Sequence, residues 1–354
     1  MVKTKKFILK RAFEGFPKAS DVQIVEEELP PIKDGEFLAE AVYLSVDAYM
    51  RGFQQSIGEV MMGTQIAKIT ESKLDGYPIG KYVIGSFGWR THTVSTEIRS
   101  PNGLVRDYEG LPISLGLSAL GISGCSAYFG LLEICKPQKG ETVVVSGAGG
   151  AVGSHAGQIA KIIGCTVIGI LGDDRKGKCV TDELGFDYYI NYKKGNLEEE
   201  LAKFAPSGVD CYFDNVGGEI SNYVISQMNR LGRICVCGFI SHFNDDGNST
   251  NNSRQDTWRV TSNALNWKYK GDSSGIPKVT PLQSIFVIKE LRMEGFVVYK
   301  WASRWNEALE QNLKWIKEGK LKCKETITEG FENTFAAFVG LLQGQNLGKA
   351  LVKI

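Results

Sequence analysis

The chain has 354 residues, 43% of them hydrophobic and 23% charged, with 41 lysines and arginines against 40 acids. That length allows two domains with sizeable cores. A net charge of +1 leaves no electrostatic footprint for nucleic acid or an acidic membrane surface, and no apolar run approaches the roughly 20 residues of a membrane span. The opening MVKTKKFILKRAF has neither the apolar core nor the cleavage site of a signal peptide. The eight cysteines therefore read as reduced thiols, most of them small buried hydrophobes, rather than as a disulfide framework.

Residues 1–120 carry short β-like runs between turn signals, among them FLAEAVYLSVDAYM, QIAKIT and KYVIGSF, and read as a β-rich unit. From 141 the pattern changes. TVVVSG, TVIGILG, DYYINY, VDCYFDNVGG and RICVCGF alternate with helix-period segments at 151–164, 174–185, 196–205 and 219–231. That alternation predicts βαβ units on a doubly wound parallel sheet. Residues 244–282 interrupt it with a polar stretch rich in Asn, Ser and Asp, read as a long loop. Its two N-x-[ST] matches, at Asn248 and Asn251, read as chance. LQSIFVIKELRMEGFVVYKW then predicts a helix followed by a strand. SRWNEALEQNLKWIKEG predicts an amphipathic helix with Trp305, Ala308, Leu309, Leu313 and Ile316 on one face. FENTFAAFVGLLQG predicts another, ahead of a closing strand KALVKI.

The most informative stretch is TVVVSGAGGAVGSHAGQIAKIIG at 142–164. Gly147, Gly150 and Gly153 stand between a buried strand and a helix that opens the βαβ series. A tight turn and a close backbone approach to a pyrophosphate both forbid Cβ atoms there, and the helix N-terminus offers N–H groups and a positive dipole end to phosphate. The next strand ends in GDDRK. Asp173 and Asp174 would suit a ribose 2′-hydroxyl, whereas Arg175 and Lys176 would suit a 2′-phosphate, and spacing alone leaves both open.

A β-rich front and a doubly wound back suggest a medium-chain dehydrogenase. A zinc site in such a chain needs Cys and His donors. Here the histidines are His92, His155 and His242, no cysteine precedes Cys125, and Cys235 and Cys237 are too close for a usual zinc pair. The sequence thus predicts no metal site. Without donors for a Lewis acid, reduction of an activated C=C fits better than alcohol oxidation, because the substrate's own conjugated carbonyl accepts the charge.

LSVDAYMR (44–51), MMGTQIAKI (61–69), SAYFGLLEIC (126–135), GAVGSHAGQIAKIIGC (150–165), DCYFDNVGGEISN (210–222), ELRMEGFVVYKW (290–301) and QNLGKALVKI (345–354) resemble the prostaglandin reductases, zinc-free medium-chain dehydrogenase/reductases. The likeness covers nearly the whole chain except about 244–282. It implies a GroES-like catalytic domain at 1–122, completed by 323–354, and a Rossmann NADP-binding domain at 123–322. It implies NADP(H) as cofactor, a cytoplasmic homodimer, and reduction of lipid-derived α,β-unsaturated ketones and aldehydes such as 15-oxo-prostaglandins, with a slower oxidation of leukotriene B4.

The resemblance also implies site residues. Gly150, Ala151, Val152 and Gly153 would hold the pyrophosphate, and Lys176 and Tyr192 the 2′-phosphate. Asn215 would touch the ribose end. Ser126, the segment Cys237, Gly238, Phe239, Ile240, Ser241, His242 and Phe243, and Phe296, Val297 and Val298 would flank the nicotinamide, with Asn346 closing over it. Tyr49 would donate to the substrate oxygen, and Arg51 would steer an acidic tail. Plainer readings stand beside these: a buried strand for 296–298, a surface aromatic for Tyr192, a turn residue for Asn215, a surface ion pair for Arg51. The chain departs from the family at Phe243, where a tyrosine is usual, at Cys125-Ser126 in place of Leu-Thr, and in the length of 244–282. Two other functions compete: a quinone reductase of the zeta-crystallin type, and a non-enzymatic NADPH-binding protein.

Overall fold

The computed structural model describes residues 2–53, 55–96, 98, 101–243 and 282–354. The loop expected at 244–282, with Asn248 and Asn251, lies outside the described residues up to 281.

The front of the chain is antiparallel. Strands β1 (Val2–Leu9) and β2 (Val22–Leu29) form a two-stranded sheet. β3 (Phe37–Val46) leads into a single helical turn, α1 (Tyr49–Gly52), followed by β4 (Gln65–Ser72), β5 (Tyr82–Gly85), β6 (His92–Ser95) and β7 (Gly103–Leu104). The long β3 is the spine. It pairs with β4 and β6, and Phe37, Leu44 and Val46 along it are fully buried.

The middle is parallel. Helix α2 (Ile122–Phe129) precedes β8 (Thr142–Ser146), α3 (Ala151–Ile163), β9 (Thr166–Leu171), α4 (Asp174–Asp182), β10 (Tyr188–Asn191), α5 (Leu197–Phe204), β11 (Val209–Asp214), α6 (Gly218–Ser226) and β12 (Met228–Val236). Then come α7 (Leu282–Lys289), β13 (Arg292–Gly295) and α8 (Trp305–Lys317). The six strands run in the order β10-β9-β8-β11-β12-β13, a doubly wound sheet with helices on both faces. β8 and β9 are β-branched runs buried on both sides, as strands of such a sheet must be. One face packs on α2, α3 and α8 through Phe129, Ile159, Phe213 and Ala308, the other on α5 and α6 through Leu201, Tyr212 and Val224.

The chain then returns to the front. β14 (Glu325–Glu329), α9 (Thr334–Leu342) and β15 (Lys349–Lys353) follow, and β15 pairs antiparallel with β3. The C-terminus thereby completes the seven-stranded sheet.

Two expected elements end early. The helix expected over 219–231 stops at Ser226, because Met228 enters the sheet, where it is 1% exposed. Met228 and Leu231 keep a helical spacing that hides the change. The strand expected to run through 296–298 stops at Gly295, and Val298–Arg304 turns as a 3₁₀ helix. Val298 and Trp301, three apart, both turn inward, and Trp301 stacks on Phe129 at 5.2 Å. That packing outweighs the β propensity of FVVY.

All eight cysteines are free thiols, six of them buried and Cys237 and Cys323 half-buried. His155 is 1% exposed in α3, and neither ring nitrogen has a hydrogen-bond partner of good geometry. Burial pushes its pKa down to about 4, against a weaker opposing pull from the Ala151 backbone. The folded state therefore keeps this ring neutral while the unfolded chain takes up a proton below the ordinary value of 6.5. Stability is lost as pH falls from 6.5 towards 4, by up to about 3 kcal/mol from this group. Thermal melts of the wild type and His155→Val across that window should show a shallower acid slope in the variant.

Candidate active site

β8 ends at Ser146, and the chain turns through Gly147 at φ +62° into Gly150, the residue before α3. The turn closes with the Gly150 amide donating to the Gly147 carbonyl at 3.0 Å. A Cβ on Gly153 would lie 2.4 Å from the Gly147 oxygen, so this approach of helix to turn is open only to glycine. The amides of Ala151, Val152 and Gly153 precede the first helical bond, from Ser154 to Gly150 at 3.0 Å. They present N–H groups and the positive end of a 13-residue helix, a cradle that fits a pyrophosphate.

Beyond β9 the two acids are already engaged. Asp173 caps α4 by accepting from the Lys176 amide at 3.0 Å. Asp174 holds Asn191 at 2.6 Å and pairs with Lys194, contacts that lower its pKa. Lys176 lies along Gly149, whose added Cβ would meet its stem at 3.1 Å, and its ammonium donates to the Gly344 carbonyl at 2.5 Å. Tyr192 is 43% exposed and packs over Gly172 at the end of β9. A cation at this strand end, with its acids committed elsewhere, fits a 2′-phosphate better than a ribose hydroxyl.

The β11 end is built around Asp214. Its carboxylate accepts from Ser146 and Tyr212 hydroxyls and from the Val216 and Gly217 amides at 2.9 Å each, and from Ser221 at 2.5 Å. Asn215 donates to the Ser146 carbonyl at 2.7 Å, tying β11 to the glycine turn. The segment Cys237–Phe243 folds back over this turn: the Gly238 Cα faces the Asn215 carbonyl, Ser241 donates to the Val216 carbonyl at 2.6 Å, and Phe239 meets Phe243 edge-on at 4.9 Å. Ile240 and His242 lie in a short 3₁₀ turn between them.

Phe243 reaches the other domain. A Cβ on Gly52 would fall 2.8 Å from its ring, so Phe243 rests directly on α1, the turn that carries Tyr49 and Arg51. That turn is anchored by Met50, 1% exposed among Trp89 and Met61, which leaves its neighbours facing outward. Burial and the Asp47 carboxylate push the Tyr49 pKa far up, with Tyr299 adding to the rise and Thr64 opposing it. Tyr49 is therefore a neutral donor at any working pH. The Arg51 guanidinium donates to the Gly15 carbonyl at 2.8 Å and lies 5.7 Å over the Phe13 ring. A cleft between the domains is lined by Ser45, Asp47, Thr64, Ser123, Trp305 and Leu309.

The remaining expected residues lie as follows. Ser126 is buried in α2. Phe296 packs against Gly130 and Cys235, Val298 is buried, and Val297 points out at 67% exposure. Asn346 donates to the Gly348 carbonyl at 2.7 Å, while the Gly348 amide donates to the Gly149 carbonyl at 2.8 Å, so the C-terminal loop docks on the glycine turn. Sequence reasoning did not single out Asp47, Thr64, Asp214, Tyr299 or Lys349. Asp47 stands two residues before Tyr49 in VDAYMR, and Asp214 just before Asn215; both were within reach of the same motifs.

A GroES-like β-rich domain facing a doubly wound parallel sheet, with a glycine turn at the end of β8, defines a medium-chain oxidoreductase fold. Residues 5–101 match the family described as N-terminal domain of oxidoreductase, and residues 151–261 that described as zinc-binding dehydrogenase. Among the described residues no three His, Cys, Asp or Glu side chains gather to hold a metal ion. Prostaglandin reductase 1 of Bos taurus is 46% identical over 357 residues, covering 100% of both chains. The NADP(+)-dependent 2-alkenal reductase of Nicotiana tabacum is 33% identical over 368 residues, covering 100% of this chain and 98% of its own. The crystal structure of CurA in complex with NADPH from Vibrio vulnificus superposes with a TM-score of 0.84 at 32% identity, covering 99% of this chain and 98% of that one. The chain belongs to the prostaglandin reductase group of the medium-chain dehydrogenase/reductase family.

Gly153→Ala should force α3 away from the turn. Dinucleotide affinity, followed by tryptophan fluorescence, should fall roughly tenfold or more, with a lower melting temperature.

Proposed function

We propose that the chain is an NADPH-dependent reductase of the C=C bond of α,β-unsaturated ketones and aldehydes. The observation that carries this reading is the pairing of a 2′-phosphate-type strand end, with Lys176 beside Gly149 and both acids engaged, and a half-buried, neutral Tyr49 on the facing domain. The relatives' names, a prostaglandin reductase and a 2-alkenal reductase, point the same way.

Bound in the cradle, the cofactor supplies a hydride to the substrate's β-carbon. The chain's own residues do the rest. The α3 amides and Lys176 fix the phosphates. Ser126, Phe296, the Cys237–Phe243 segment and Asn346 would flank the nicotinamide ring. The Tyr49 hydroxyl donates to the carbonyl oxygen as negative charge builds there, an interaction worth roughly 3–4 kcal/mol when well placed. The proton for the α-carbon comes from solvent. Arg51, held by Gly15 and Phe13, keeps a cation at the mouth for a substrate with an acidic lipid tail. The protein works as a cytoplasmic homodimer; the 296–301 segment, expected to pair across its two-fold axis, is not a strand, and the edges of the parallel sheet among the described residues are β10 and β13.

NADPH oxidation at 340 nm, with a panel of 2-alkenals, 15-oxo-prostaglandin and quinones, tests the reading. Turnover of the enones with NADPH preferred over NADH is the expected result; turnover of quinones alone would sink it. Tyr49→Phe should lower kcat/KM by about 100-fold with NADPH affinity unchanged. Lys176→Ala should weaken NADPH binding about tenfold and leave NADH binding near its wild-type value.

A further inference from the structure

Lys349 is 1% exposed, a charged side chain sealed inside the seam between β15 and β3. Its ammonium donates to the Val46 carbonyl at 3.0 Å and pairs with the Asp47 carboxylate. The other carboxylate oxygen of Asp47 accepts from the Ser45 hydroxyl. The Asp47 carbonyl accepts from the Met50 amide at 3.2 Å, the bond that starts the turn carrying Tyr49. Lys349 thus grips the base of that turn twice, once through backbone and once through charge.

The residue before it faces the other domain. Gly348 donates to Gly149 in the glycine turn at 2.8 Å, and a parallel bridge joins Gly348 to Gly150. Its φ of +68° and an added Cβ only 1.9 Å from the Lys324 carbonyl leave no room for any other residue. Two adjacent residues therefore span the distance between the phosphate cradle and the substrate-side tyrosine. A buried ion pair is a poor source of stability, since apolar residues of similar size often do as well. Its geometry needs another reason.

We propose that Lys349 is a positioning residue. It holds the Asp47–Tyr49 turn in register with the glycine turn, so that the Tyr49 hydroxyl meets the substrate oxygen when the cofactor lies in its cradle. This rests on the enone reductase reading. Lys349 touches neither substrate nor cofactor, and it acts through Asp47.

The test compares Lys349→Met with the double variant Lys349→Met/Asp47→Asn. The single variant leaves the Asp47 charge unpaired and should lower the melting temperature. The double variant removes both charges and should melt close to wild type. The expected signature is separation of the two readouts in the double variant: melting temperature restored, NADPH Kd by tryptophan fluorescence within about threefold of wild type, and kcat on a 2-alkenal still down roughly tenfold or more with KM little changed. Recovery of kcat together with melting temperature would overturn the positioning role and leave Lys349 a structural residue. A kcat deficit that merely follows weakened NADPH binding would overturn it as well. A wild type that binds NADPH but reduces no enone would instead overturn the function on which the proposal rests.

Discussion

A backbone hydrogen bond from the Gly348 amide to the Gly149 carbonyl, 2.8 Å long, holds the two halves of the site together. It ties a turn of the parallel sheet to a turn of the antiparallel one at the point where a dinucleotide's phosphates would lie. Gly348 must be bare, with a positive φ and the Lys324 carbonyl against it, while the Lys176 stem packs closely over Gly149. Lys176 reinforces the junction through Gly344. Because β15 continues from Gly348 and pairs with β3, the placement of Tyr49 is set by the same junction. Phe243 on Gly52 makes a second contact across the cleft.

The site is pre-organised before any ligand arrives. Five donors converge on the Asp214 carboxylate, so the turn at the end of β11 is fixed by the protein's own hydrogen bonds. Asp173 and Asp174 are occupied by a helix cap and by Asn191 and Lys194. The groups that remain to meet a ligand are amides and a cation, and the electrostatics of the cradle favour an anion. On the other side of the cleft, burial and the nearby Asp47 keep Tyr49 protonated. Each half therefore contributes donors, as a reaction that gathers negative charge requires.

Much of this was legible in the sequence, and the parts that were not share a physical cause. The glycine turn announces itself because a strand, three glycines and an amphipathic helix are local signals. So do β8 to β12, whose apolar runs match a sheet buried on both faces. Phe243 and Gly52 cannot be paired from their positions, since 191 residues separate them and neither belongs to a periodic pattern. The same holds for Lys349 and Asp47, where a lysine in a closing strand looks like any exposed cation until β15 folds back onto β3. FVVY at 296–299 misleads for the opposite reason. Its composition is that of a strand, but Phe296 and Trp301 meet edge-on at 5.3 Å and draw the chain into a turn. The 244–282 reading lies almost entirely outside the described residues, and nothing in the fold bears on it.

The buried cysteines have a consequence for chemical self-protection. The pKa of all eight thiols is raised, through hydrogen bonds with neighbouring thiols and burial at Cys135 and Cys211 and chiefly through burial at the others; Cys237, just past the end of β12, is pushed up to about 12. The thiolate is the form that attacks electrophilic carbon. A protein that handles activated alkenes at close quarters would be alkylated by its own substrates if it carried an ionised sulfur near the cleft. With its thiols held neutral, the chain offers such compounds little of the form that reacts with them.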